Sequence, residues 1–450
     1  MSVVDILLYR LPSHPALVSA DPLGVCDGES PSWWDVITRH IKDVQESDGS
    51  SLGKLPGLIE DLGYSLHGNG KVDTGFLRQF IHHHIPPGDR TRLLDVILEH
   101  AVSLPVMFPS HTLQQLSIHS PFIEFSDGQV KALLSHQLLG TLLPPNGNTW
   151  GCTFLPWYQT SQPMPNAVEG YLTATFYYFL NSYPSAQFKW CASPLGHPWA
   201  PSQARLFHHV TFNRVALSDV EFPLNARYCS LISSHSSPGF GTSCTQEELV
   251  TAACPALLVL GALLVTPPIP ADTALLARNV VPTAQWKGQG REARLVQLLN
   301  APETRSFIFA DALELDLIDG DLPDLLPGNV ERELNKLFAG FSRLANDGVL
   351  DVASPLWGSG AFGGNPIVKV MIMAMAAAQT GINIDVTVDQ DRLEPAHGVN
   401  SPDGTLLVEL LESLRKSCKN MTVSEAYAFL TSPEARGCLN GEQLVRLIAS

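Results

Sequence analysis

The stretch Trp357-Gly358-Ser359-Gly360-Ala361-Phe362-Gly363-Gly364 decides how this chain reads. Upstream, Val349–Ala353 is a short apolar run with the character of a strand. Downstream, Ile367–Gln379 is an alanine- and methionine-rich run that reads as a buried helix, with Met371, Met373 and Met375 as core residues. Between them, Gly358-x-Gly360-x-x-Gly363 makes a glycine loop opening a helix. Glycines let backbone N–H groups approach phosphate oxygens, and a helix N-terminus adds partial positive charge. A tight strand-to-helix turn would use the same glycines only for their positive φ angles. The flanking strand and helix favour the phosphate reading. On pattern alone a dinucleotide-binding crossover comes first to mind, with Asp389 near the place of a ribose-binding acid. Against it, little chain follows the loop and few strands precede it.

Outward from the loop, β-rich runs at His209–Phe212, Ala256–Val265, Ser306–Phe309, Val349–Ala353 and Ile382–Val388 alternate with helical segments. These are Gln246–Ala253, Arg291–Leu299, Val330–Leu344 and Ile367–Gln379. Such alternation predicts an α/β domain with helices on a mixed sheet over residues 205–450. The first 204 residues read as a helical region. Ser32 caps a helix carrying Trp33, Trp34, Val36, Ile37 and Ile41, and further helical spacing covers Phe76–Ile81, Leu93–Val102, Gln129–Leu143 and Ala167–Ser182. Residues 144–167, rich in Pro, Gly, Asn and Thr, read as a long surface loop.

Composition narrows the partners. A formal charge of −16 disfavours broad binding to a polyanion such as DNA, yet leaves room for a small anion site built from backbone N–H groups. The longest apolar candidate, Pro255–Val265, is too short to span a bilayer, and the N-terminal MSVVDILLYRLPSHP has no secretory pattern. Eight scattered cysteines without a Cys-x-x-Cys pair fit a reducing compartment. His82-His83-His84 and His208-His209 are adjacent histidines that diverge on any regular element, so no metal site is expected.

The second chemical feature is Gly239-Phe240-Gly241-Thr242-Ser243-Cys244-Thr245-Gln246-Glu247-Glu248, a glycine-bearing loop running into a helix with two acids in its first turn. Acids there favour the helix dipole and commonly face solvent. Neighbours on a helix point about 100° apart, so one of the two reaches a ligand well. A glycosidic role needs a carboxyl that protonates a leaving oxygen and then accepts a proton from water.

Together and in this order, the two features resemble the poly(ADP-ribose) glycohydrolase family, whose signature pairs a triple glycine and Gln-Glu-Glu with a Trp-Gly-x-Gly-Ala-Phe-Gly-Gly loop. Asp311-Ala312-Leu313, Arg332-Glu333-Leu334-Asn335-Lys336 and Gly340-Phe341 add to the similarity, as do Leu104–Pro109, Gln129–Leu142 and Tyr171–Tyr183 upstream. The resemblance implies a macrodomain-like core preceded by a helical accessory region. It implies hydrolysis of the ribose–ribose bonds of poly(ADP-ribose) with no metal or redox cofactor, Glu248 acting as catalytic acid/base, Glu247 supporting substrate binding or positioning its partner, and Gln246 binding substrate. Gly358, Ser359, Gly360, Ala361, Phe362 and Gly363 would hold the diphosphate, with Phe362 packing against the ligand, and Asn225 would position the substrate. Poly(ADP-ribosyl)ated proteins, a monomeric state and a nuclear or cytoplasmic setting follow as expectations.

The chain departs from the pattern. Ser236-Ser237-Pro238 stands where the family has its triple glycine, and proline has no N–H to offer. Thr266–Lys287, expected to cover adenine with a tyrosine, contains none, and Val388 replaces a stacking phenylalanine. These changes leave a catalytically weak or silent ADP-ribose reader as the alternative.

Overall fold

A computed structural model describes the chain apart from residues 1–6, 28–29, 48, 50, 69–71, 145–149, 193–198, 225–228, 262, 267, 289, 301–302 and 396–403. Its centre is an eight-stranded mixed sheet. In chain order the strands are β1 (Phe122–Phe125), β2 (Ala186–Ala192), β3 (Val210–Val215), β4 (Cys229–Ser234), β5 (Thr273–Val280), β6 (Arg305–Asp311), β7 (Asp351–Pro355) and β8 (Asn383–Asp389). They lie side by side as β1-β2-β5-β6-β4-β7-β8-β3. From β6 to β3 the neighbours are parallel, and the β1-β2-β5-β6 side is antiparallel.

Alternation across the central strands sorts their side chains between two cores. Leu275, Ala277, Phe307 and Phe309 join the N-terminal helices on one face, whereas Ala274, Leu276, Ile308 and Ala310 join the C-terminal helices on the other. With both faces covered, β5 and β6 read as nearly continuous apolar runs, the expected signature of a sheet buried on both sides. Helices α1 (Trp33–Glu46) and α2 (Asp127–Leu139) start at Ser32 and Ser126, whose side chains accept from backbone N–H groups in their first turns. Helix α3 is Pro165–Phe179, α4 is Gln246–Ala253, α5 is Asn329–Asn346 and α6 is Pro366–Thr380.

Most sequence expectations find their element within a few residues, and four are corrected. Ala256–Val265 is not a strand: Pro255–Val259 forms a buried 3-10 turn after α4, favoured by the fixed φ of Pro255. Arg291–Leu299 is not a helix. Arg294–Leu298 pairs antiparallel with Ala284–Lys287 in a separate three-stranded sheet, so an alternating run outweighed a weak helical period. The stretch read as a surface loop instead buries Phe154, Trp157 and Tyr158. Finally, β1 and β2 precede residue 205, so the sheet takes its antiparallel edge from the part read as mainly helical. No helix among the described residues is long and apolar enough to cross a membrane.

Candidate active site

The glycine loop leaves β7 and enters α6. Its base is anchored: the Trp357 indole is buried and donates to the carbonyl of Ala310 at 2.9 Å, at the end of β6. The N–H of Gly358 donates to Ser233 Oγ at 3.0 Å, that of Gly363 to the Gly360 carbonyl at 3.0 Å, and that of Gly364 to the Gly358 carbonyl at 3.0 Å. Ser359 is buried and its hydroxyl turns back to the Leu356 carbonyl. The amides of Gly360, Ala361 and Phe362 make no hydrogen bond among the described residues. Those same three residues line a cavity of about 430 Å³. Unpaired amides on three consecutive cavity-lining residues are donors available to an anion.

The first turn of α6 does not contribute donors in the way the sequence suggests. Asn365 caps it, its side chain accepting from the N–H groups of Ile367 and Val368. Anion-binding capacity therefore resides in the loop. The glycines have divided tasks. A Cβ on Gly364 would sit 2.2 Å from Lys369 Cε and one on Gly358 3.0 Å from it, so these two make room for a buried lysine beneath the loop. Gly363 has φ +71° and its Cβ would meet the backbone of Asp316 at 2.7 Å.

Lys369 belongs to a buried set of charges that fixes the loop from below. Its ammonium pairs with Glu333 at 2.6 Å and Asp324 at 3.3 Å. Asp324 accepts from the N–H of Asn365, and Glu333 accepts from that of Leu313. Asp311 at the end of β6 is gripped by Arg332 and Lys336. Three acids thus meet three bases, which satisfies charges that burial would otherwise penalise heavily.

Across the cavity, the second loop runs from His235 to Thr245 and enters α4. Thr245 forms a capping box with Glu248, each side chain bonding the other's backbone N–H. Gln246 holds β4, its amide bonding the N–H of Ser233 at 3.1 Å and the carbonyl of Leu231 at 3.1 Å. Glu247 is only 3% exposed and accepts from the N–H groups of His235 and Gly239, both at 2.8 Å. Burial pushes its carboxyl up to about 8, with the two amides opposing and Glu248 and Asp311 adding to the rise. Glu248 accepts from the Ser243 hydroxyl at 2.7 Å, the Thr245 N–H at 2.9 Å and the Ser243 N–H at 3.2 Å.

Gln246 and Glu247 therefore line the cavity with Gly360, Ala361 and Phe362, whereas Glu248, Gly358, Ser359 and Gly363 do not. Asn225 lies outside the described residues. Val388 is buried in the core and points away from the cavity; its strand neighbours Thr387 and Asp389 face it instead. The Thr266–Lys287 segment supplies β5 and a buried Trp286 packed on Tyr171, and lends no cavity-lining residue. Sequence reasoning missed Trp150, His235 and Arg392. Arg392 brings a cation beside the glycine loop, donating to the Ser359 carbonyl at 2.7 Å. Its place one turn beyond Asp389, at the end of β8, was the available signal.

The loop from His235 to Thr245 is also clamped from outside. The Trp150 indole donates to the Ser237 carbonyl and the Trp157 indole to the Gly241 carbonyl, each at 2.8 Å. Phe240 is buried between Phe154 and Trp157, with ring centroids 5.2 Å apart in both pairs. Pro238 sits against Gly261, where a Cβ would meet its carbonyl at 2.2 Å. Aromatic residues of the accessory region thus hold in shape a loop that lacks the triple glycine.

Residues 233–393 match the family model of the poly(ADP-ribose) glycohydrolase, Macro domain fold. That span contains both loops. This segment is a divergent poly(ADP-ribose) glycohydrolase-family macrodomain. Solved structures of the family are similar at low identity. One is the poly(ADP-ribose) glycohydrolase of Deinococcus radiodurans in complex with ADP-ribose, with 16% identity, 41% of this chain and 79% of that chain covered, and a TM-score of 0.30. Another is the enzyme of Thermomonospora curvata bound to the inhibitor ADP-HPD, with 13% identity, coverage of 41% and 74%, and a TM-score of 0.27. A further Thermomonospora curvata structure spans 66% of this chain and 93% of its own at 12% identity, with a TM-score of 0.27.

Proposed function

We propose that this chain hydrolyses the ribose–ribose O-glycosidic bonds of poly(ADP-ribose) and releases ADP-ribose. The observation that carries the reading is a single cavity lined by three unpaired amides, Gly360 to Phe362, and by Glu247 of the Gln-Glu-Glu turn. The amides suit the diphosphate of a terminal ADP-ribose unit, and Arg392 adds positive charge beside them. Phe362 and Trp150 offer ring surface for the base or sugar. The cavity's size falls in the range that holds a small organic ligand. A carboxyl and water suffice for the reaction, which passes through an oxocarbenium-like transition state. Poly(ADP-ribosyl)ated proteins in the nucleus or cytoplasm would present the substrate.

A second reading, a binding module without turnover, has its own support. The oxygens of Glu248, the family's acid/base position, are committed to Ser243 and Thr245. Calorimetry with ADP-ribose and chromatography of a polymer digest distinguish the two. Binding with release of free ADP-ribose supports hydrolysis; binding without release supports the reader; no binding of ADP-ribose defeats both.

A further inference from the structure

We infer that His235 is a positioning residue of this site: its ring closes the loop that carries the Gln-Glu-Glu turn and ties that loop to the glycine loop across the cavity. The inference rests on the hydrolysis proposed above and leaves the two carboxyls in the roles that the resemblance gives them. His235 itself lines the cavity.

Three glycines shape a loop through backbone freedom, whereas Ser236-Ser237-Pro238 brings three side chains and one N–H fewer. His235, directly after β4, supplies a constraint of another kind. Its Nδ1 accepts the Ser237 N–H at 3.0 Å, the closure onto the second residue ahead that Asn and Asp side chains make in turns. The backbone N–H of His235 donates to one Glu247 oxygen at 2.8 Å, and that of Gly239, beyond the turn, donates to the other at 2.8 Å. Closing residue 235 onto residue 237 therefore sets the spacing of the two amides that hold Glu247. The Ser237 carbonyl is taken by the Trp150 indole at 2.8 Å, so Ser237 is fixed through both its N–H and its carbonyl.

The same ring reaches across the cavity. Because Nδ1 accepts a hydrogen bond, the ring proton lies on Nε2. Nε2 is 3.0 Å from Glu314, and the imidazole donates there. Glu314 sits between Leu313, whose N–H goes to buried Glu333, and Leu315, whose N–H donates to the Phe362 carbonyl at 2.8 Å. Phe362 is one of the glycine-loop residues that line the cavity. A connected path thus leads from Glu247 through His235, Glu314 and Leu315 to Phe362.

The side chains of His235 and Glu314 are 44% and 53% exposed, and a link so open to water contributes little to overall stability. Its consequence lies in the relative placement of the two loops, where a misplacement of about 1 Å can cost about 100-fold in rate.

The test compares the full native chain with His235→Ala, His235→Asn and Glu314→Ala. It reads initial rates of ADP-ribose release from poly(ADP-ribose), ADP-ribose calorimetry and melting temperature. Asparagine carries Oδ1 where histidine carries Nδ1, so it keeps the Ser237 closure and drops the reach to Glu314. His235→Ala is expected to lose on the order of 100-fold in kcat and about fivefold in ADP-ribose affinity. His235→Asn should return kcat to within about threefold of native while its affinity stays about fivefold weak, and Glu314→Ala should match it. A purely structural role would instead lower melting temperature and activity together, without rescue by asparagine. Native kcat in His235→Ala, or a kcat in His235→Asn as low as that of His235→Ala, overturns the closure; native affinity in Glu314→Ala overturns the bridge. Should His235→Ala fail to fold, His235→Gln, whose amide stands one bond too far to close the turn, replaces it in the kcat comparison. A native chain that releases no ADP-ribose defeats the hydrolysis alone. The affinities of His235→Asn and Glu314→Ala then decide the bridge, a matched loss supporting it and native values overturning it.

Discussion

Trp357–Gly364 and His235–Thr245 face the same cavity, but their backbone amides go to different places. The first loop spends the N–H groups of Gly358, Gly363 and Gly364 on its own shape and leaves those of Gly360, Ala361 and Phe362 unpaired. The second turns its N–H groups inward: His235 and Gly239 serve Glu247, while Ser243 and Thr245 serve Glu248. One loop is therefore arranged to receive an external anion and the other to hold internal carboxyls. Their supports differ as well. Buried charges of α5 and α6 lie under the first, and aromatic side chains of the accessory region hold the second. A loop that lacks the family's triple glycine can keep its place when its carbonyls are tied down by Trp150 and Trp157 as its amides are by the two carboxyls.

The comparison breaks most severely at Gly363. Gly363→Ala forces a side chain into a left-handed backbone and against the Asp316 main chain at 2.7 Å, neither of which can yield cheaply. We expect a cost of about 3 kcal/mol in stability together with loss of ADP-ribose binding. Chemical denaturation and calorimetry measure the two effects. Full ADP-ribose affinity in this variant would show that the unpaired amides are not the anion site.

Solution pH sharpens the contrast from the side of the second loop. The Glu247 carboxyl rises from 4.5 to about 8 on folding, so the folded state holds a proton that the unfolded chain releases. Stability from this group is full below the unfolded value and is lost as pH rises through about 8. The melting temperature of the native protein should therefore fall relative to Glu247→Gln between about pH 5 and 9, by an amount on the order of a few °C. Parallel melting curves for the two proteins across that range would contradict a buried protonated Glu247.

How much of this was legible differs between the loops for a physical reason. A strand, a glycine run and an apolar helix are local patterns, and Thr245 with Glu248 is a local capping pair, so both loops could be located from sequence. Their occupancy depends on distant residues. Gly358 and Gly364 look like ligand glycines, yet the space they open is filled by Lys369, and nothing nearby in the chain announces that. The weight placed on Glu248 rests on family resemblance, whereas the burial of both carboxyls is a tertiary fact. The run Phe154–Tyr158 reads as loop because Pro and Gly surround it, and only the fold shows its rings packed behind Phe240. Likewise the strand Arg294–Leu298 depends on its partner Ala284–Lys287 for identity, which a single window of sequence does not contain.

The smallest expected effect tests whether the accessory region supports the second loop or merely lies beside it. Trp157→Phe keeps a ring against Phe154 and Phe240 but removes the indole N–H that reaches the Gly241 carbonyl at 2.8 Å. The part-buried carbonyl is then left without this donor and a modest void opens, so stability should drop by roughly 1–2 kcal/mol. Gly241 also lies close to Glu248 Oε1, so loosening it disturbs the capping carboxyl while leaving the anchors of the Trp357–Gly364 loop untouched. ADP-ribose affinity should accordingly change little, and polymer turnover should fall severalfold. An equal loss in affinity and turnover would mean that the two loops share their support, and that the aromatic clamp acts on the whole cavity rather than on the carboxyl-bearing side alone.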